Sequence, residues 1–289
     1  MAVLSAPTAG SSGQKPLHPM RTLAIFALLL NSLQAEPATP TKGIDLQLVS
    51  DVTTIAPATP FTVALHIHHH EGYHTYWKAP GIVGLPTGLK WELPTGYTAS
   101  TLAWPAPEFT HMFQYLAYGY EHDALLLTTI TPPQDLPNVS KLTARATWMA
   151  CADTCQPGTR LLSIELPAAS TAKPDASWLA KINTAKKSVP RTLDTLKSPT
   201  ATIAGKNVTL SFTAPDGVPI EKLHFLSDHN LFDPNTPQLQ SPTGLALTIM
   251  PDAPKQLPTR LSGLLHNPTG WPSLGGAKFG RINLPLAKP

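Results

Sequence analysis

The chain has 289 residues, of which 13% are charged, with a formal net charge of +3 and two cysteines. So weak a positive charge, with no basic run, argues against nucleic acid as a partner, and two cysteines are too few for a disulfide-built scaffold. The 32 prolines leave few helical windows and favour short strands joined by proline turns.

In chain order, a processing signal comes first. Met20-Arg21 precedes the apolar run Leu23 to Leu30 and then the small residue Ala35. That is the pattern of an export signal peptide over about residues 20–35, and the run is too short to span a bilayer. A leader and signal over 1–35 are therefore expected, with the mature chain in a compartment where disulfides form.

Residues 36–43 read as an irregular leader. Ile44, Leu46 and Leu48 then alternate, and Phe61, Val63, Leu65 and Ile67 make a period-two face, so 61–69 is expected as a half-buried strand. Tyr73 to Trp77, Leu89 to Leu93, Tyr97 to Trp104 and Ala124 to Ile130 add strands bounded by glycine and proline turns. About seven or eight strands at this spacing predict an all-β, immunoglobulin-like sandwich. Between Pro105 and Asp123 the alternation breaks. Phe109, Phe113, Tyr115, Tyr118 and Tyr120 crowd a stretch expected as a long loop. Such a loop often carries function; alternatively, its aromatics plug one end of the sandwich.

Cys151-Ala152-Asp153-Thr154-Cys155 lies between the alternating Leu142, Ala144, Ala146, Trp148 and a second strand-like run, Thr159 to Leu166. A short loop between two such runs is a hairpin. The cysteines face each other across its end, within disulfide reach if the side chains are suitably directed. Closing so small a loop stabilises the fold by about 2 kcal/mol, and a chain this long can bury a core without it. A short ring near the surface is also more easily reduced than a long-loop staple. Redox cycling and a structural staple both stay open on spacing alone, with metal binding third.

Residues 168–199 are expected as a linker with a short helix. Pro174-Asp175-Ala176-Ser177 opens it, Trp178, Leu179, Ile182 and Ala185 share a face, and Pro190 stops it. Strand patterns at 207–213, 223–226, 245–249, 261–265 and 280–284 then make a second, smaller β-domain over 200–289, with a structural or docking role.

Three features carry a resemblance. They are Cys151-Ala152-Asp153 with Cys155 and Pro157, Trp104 followed by Glu108-Phe109, and the strand order around them. Over residues 44–167 the chain resembles the amino-terminal periplasmic domain of the thiol:disulfide interchange protein DsbD family. The two-domain layout, with Gly270-Trp271 and Gly275-Gly276 before a final strand, is similar to relatives linked to suppression of copper sensitivity. The resemblance implies an immunoglobulin-like domain with Cys151 and Cys155 as the redox pair, Cys155 facing partners. It also implies Phe109 as a cap over the pair, preceded by the acidic Glu108, while Pro107 stands where the family has a second acid. Electrons would pass from a membrane-embedded DsbD-type donor to periplasmic disulfide oxidoreductases, a protein-disulfide reductase activity needing no cofactor. These 289 residues show neither the membrane domain nor the thioredoxin domain of DsbD, so the donor is expected on a separate protein.

The rival is metal handling. His66, His68 and His70 recur at period two along one strand, with His69 and His74 nearby. Imidazoles suit copper or zinc, and thiolates suit Cu(I). The plainer expectation is that these histidines point away from the apolar face into solvent. A non-catalytic interaction module is the third reading.

Overall fold

The structure, a computed structural model, describes residues 42–215 and 217–288, and the expected signal peptide lies outside them. Strands Ile44–Ser50, Phe61–His69, Ala124–Thr131 and the short Thr98–Ala99 make a four-stranded antiparallel sheet. Cys155–Pro167, Val139–Cys151 and Gly88–Glu92 make a three-stranded sheet. Alternation along Val139–Cys151 turns Leu142, Ala144, Ala146, Trp148 and Ala150 into one core with Val63, Leu65, Ile67, Leu126 and Ile130. This is the all-β, immunoglobulin-like sandwich. Each large aliphatic chain buried there contributes about 1.5–3 kcal/mol.

Two local expectations are corrected. Strand Phe61–His69 is not half-buried, because both of its faces are covered through Ile67. The helix Leu179–Ser188 lays Ile182 and Ala185 against Val49, Ala64 and Leu127 on the outer face. An Asx turn leads into this helix: Ser177 and Trp178 donate their backbone N–H groups to Asp175 Oδ1 at 2.7 and 3.2 Å. The expected loop after Pro105 is also not a loop. Glu108–Met112 and Tyr115–Tyr120 form a tight antiparallel hairpin, which pairs with the short strand Thr75–Tyr76. Phe113, at φ 53°, turns it. Its period-two signal is hidden because apolar and aromatic residues occupy both faces.

After the helix, seven strands form one mixed sheet, in the spatial order His224–Ser227, Arg260–Trp271, Ala277–Ala287, Lys197–Ala204, Asn207–Thr213, Gly244–Thr248 and Leu239–Ser241. Its own core holds Val208, Leu210, Phe212, Phe225, Leu245, Leu247, Leu261, Leu265 and Trp271. Leu226 and Leu264 turn the other way and join the sandwich core. Among the described residues no helix is long and apolar enough to cross a membrane.

Candidate functional site

The two strands of the cysteine hairpin pair in register from Val139 opposite Pro167 to Cys151 opposite Cys155. That register, set by the inward alternation of the first strand, brings the two sulfurs together, and they are joined in a disulfide. A second backbone contact fixes the first cysteine. Cys151 and His74 exchange both N–H···O bonds, at 2.9 and 3.0 Å. The result is asymmetric: Cys151 is fully buried, whereas Cys155 is exposed.

Tyr76, itself fully buried, donates its hydroxyl proton to Cys151 Sγ at 3.1 Å, and the same oxygen lies 4.0 Å from Cys155 Sγ. A phenol has one proton to give. His74 Nε2, 3.1 Å from the phenol oxygen, is therefore the donor to it. Burial lowers the His74 pKa, which favours the neutral ring, and burial pushes Tyr76 up to about 12. The phenol thus stays a proton donor throughout the physiological range. Gly84 closes over this ring. Its φ is +83°, and a Cβ there would lie 2.3 Å from Tyr76 ring carbons, so glycine is required twice over.

On the exposed side, Met112 Sδ lies 3.8 Å from Cys155 Sγ. Met112, Val83 and Met149 pack around the cluster of Tyr76, Ala117 and Cys151. Phe109 does not belong to that cluster. It packs against the sandwich core, with ring centroids 5.7 Å from Tyr118, 5.8 Å from His224, 4.9 Å from His266 and 6.3 Å from Phe279. The reason is strand geometry: residues 109 and 112 are three apart and project from opposite faces, so the side chain over the sulfurs is Met112. Glu108 also points elsewhere, accepting from the Glu121 N–H at 2.7 Å and pairing with His122 Nδ1 at 3.0 Å.

The histidine strand is also partnered differently from the expectation. His66 is buried, not solvated; it contacts Gln47 and Asp123 and lies 5.0 Å from the Trp178 ring. His68 pairs with the same Asp123 at 2.6 Å, and His70 pairs with Asp45 at 2.9 Å. His69, on the other face, donates from Nδ1 to the His122 carbonyl and accepts at Nε2 from Thr75. Burial holds His69 at about 4, against the raising effect of that carbonyl. Among the described residues, no three His, Cys, Asp or Glu side chains are gathered as a metal cradle.

The geometry is thus a disulfide with one sulfur outside and one inside, the inner one hydrogen-bonded by a phenol. Residues 46–166 match the family described as thiol:disulfide interchange protein DsbD, N-terminal. They form a DsbD amino-terminal domain. Tyr76, Met112, Cys151 and Cys155 all fall within the matched span. Among solved structures, the N-terminal periplasmic domain of ScsB from Proteus mirabilis is similar, with a TM-score of 0.59 at 15% identity. The likeness covers 86% of this chain and 95% of that one, so the shared fold extends past the DsbD amino-terminal domain into the seven-stranded sheet. The periplasmic chaperone SfaE aligns at 7% identity over 84% of this chain and 100% of that one, and its TM-score of 0.21 carries no argument. No curated protein matches the chain.

Sequence reasoning missed Tyr76, His74 as its partner, and Met112. Tyr76 and His74 are two apart in extended chain, so they share a face. Nothing in their spacing points to a cysteine 75 residues further on.

Proposed function

We propose that this chain is a periplasmic thiol-disulfide carrier that takes two electrons from a reduced, membrane-embedded DsbD-type donor and gives them to periplasmic disulfide oxidoreductases. One observation carries the reading: a single disulfide with an exposed sulfur, Cys155, and a buried, hydrogen-bonded one, Cys151. A donor thiolate attacks Cys155 Sγ. A mixed disulfide forms, the Cys151–Cys155 bond breaks, and its electron pair leaves on Cys151 Sγ. Tyr76 donates its hydrogen bond to that new thiolate and offsets the burial that disfavours it. The donor's second thiolate resolves the mixed disulfide and frees Cys155, so two electrons have entered. In the second half-reaction the Cys155 thiolate attacks the client disulfide. Cys151 then attacks Cys155, the client leaves with both electrons, and the intramolecular bond is restored.

The surface around Cys155 suits a protein partner. Ile82, Leu85, Phe113 and Tyr115 are exposed on the two segments that also carry Gly84 and Met112. Single-cysteine variants test the assignment. In C151S the exposed Cys155 should capture periplasmic proteins as stable mixed disulfides identifiable by mass, because no second thiol resolves them. C155S, which retains only the buried sulfur, should capture far less. Equal capture by both variants, or capture by C155S alone, would remove Cys155 from the role.

A further inference from the structure

The seven-stranded sheet touches the DsbD amino-terminal domain at the segments that wall the disulfide. Its loop after His224–Ser227 carries two asparagines, and each grips one wall by the backbone. Asn230 accepts from the Gly81 N–H at 2.7 Å and donates to the Gly81 carbonyl at 2.8 Å. Asn235 accepts from the Leu116 N–H at 2.7 Å and donates to the Leu116 carbonyl at 3.3 Å. An amide that satisfies both backbone groups of one residue acts as a strand partner would. It fixes where that residue lies, whatever its side chain.

The two amides are themselves held. Asp233 Oδ1 accepts from Asn235 Nδ2 at 2.8 Å and from the Asn235 N–H at 2.8 Å, which sets the amide's direction. Asn230 sits at φ 53°, a left-handed backbone that asparagine tolerates better than most residues. Pro234, between them, lies so close to Gly81 that a Cβ there would be 2.5 Å from its ring. Further contacts seat the same two walls. Lys78 and Arg281 both bind Asp228, each at 2.6 Å. Tyr118 Oη and His224 Nε2 are 2.6 Å apart, and Phe109 packs among His224, His266 and Phe279.

Both grips lead by short covalent or paired paths to the sulfurs. Leu116 follows Tyr115, whose cross-strand partner Met112 touches Cys155. Gly81 precedes Val83, which packs on the Cys151 cluster, and Gly84, which lies on the Tyr76 ring. We propose that Asn230 and Asn235 are positioning residues. They hold the two walls at a fixed separation over the disulfide and thereby decide which thiols reach Cys155. Small free thiols are slowed by the narrowed approach to the exposed Cys155, whereas a protein thiol that docks on the rim can spread the walls. The seven-stranded sheet is on this account the part that confers selectivity on the carrier. The inference rests on the proposed redox role of the pair.

The test uses the full chain in its oxidised form, with 2-mercaptoethanol and glutathione as probe thiols. N235A and N230A should each be reduced about three- to tenfold faster than wild type, the range expected when one or two hydrogen bonds no longer favour the closed walls. The gain should be larger for the bulkier glutathione. V208A, which opens the core of the same sheet away from the walls, serves as the control for mere destabilisation. It should lower the melting temperature without changing either rate. The proposal fails if V208A gains as much rate as the asparagine variants, or if neither asparagine variant gains. If the wild-type disulfide is not reduced at all while folded, the carrier reading fails and this inference falls with it.

Discussion

Tyr76 has a single proton, and the structure spends it on the buried sulfur. In the proposed reduction Cys151 leaves as a thiolate, and that contact would become a hydrogen bond to an ion, worth about 1.5–3 kcal/mol. Tyr76→Phe should therefore slow reduction of the disulfide by a probe thiol by about tenfold or more, with the fold retained because the ring stays. An unchanged rate, measured by quenched alkylation, would reduce the phenol to packing. Met112 and Phe109 make a matched pair of opposite expectations. Met112→Ala bares Cys155 on an exposed hairpin, so the reduced pair should oxidise faster with little change in melting temperature. Phe109→Ala empties a site between the sandwich core and three rings of the second sheet. It should cost about 2–3 kcal/mol, near the low end for removing a buried ring because Phe109 is only partly buried. Thermal melts set beside oxidation rates separate the two; a large loss of stability in M112A would reverse these roles.

The helix Leu179–Ser188 shows how an element is fixed by its lead-in. Asp175 satisfies two N–H groups just before the first turn, so Asp175→Ala should destabilise the oxidised protein by about 1 kcal/mol, readable as a lower urea midpoint at unchanged slope. A result within error of wild type would mean that packing of Ile182 and Ala185 alone holds the helix. This helix was legible in the sequence because Ile182 and Ala185 share a face and Pro190 stops it. The cysteine hairpin was legible too, from clean alternation on both sides of a short turn. The aromatic hairpin was not, since Phe109 and Tyr118 fill one face while Thr110, Met112 and Ala117 fill the other, leaving no polar alternation to read. Strand Lys197–Ala204 was missed for a different reason. Its second and third residues are Ser198 and Pro199, a pair that reads as a turn, and Ser198 does take φ 48°. The site was half-legible: the cysteines announce themselves, but Tyr76, Met112, Asn230 and Asn235 reach it only through long-range pairing.

At the scale of the whole molecule, burial joins the parts and also sets their response to acid. Burial holds His69, His224 and His266 each at about 4 against an ordinary 6.5, with the neighbouring His266 adding to the effect at His224 and Lys278 at His266. The unfolded chain protonates these rings near 6.5, while the folded chain refuses the protons until about pH 4. Stability is therefore full above about 6.5 and lost as pH falls from there towards 4, where the folded rings also protonate and the loss from these groups ends. Urea unfolding followed from neutral pH to about pH 5 should show this decline, and stability that held flat or rose would contradict the buried neutral state. The proposed carrier role requires a disulfide that is reduced and re-formed without unfolding. Its most direct measurement is equilibration of the full chain in glutathione redox buffers, with thiol trapping for the redox state and near-ultraviolet circular dichroism for the fold. Cys151–Cys155 should be completely and reversibly reduced while the tertiary signal persists. A bond that yields only as that signal collapses would contradict it.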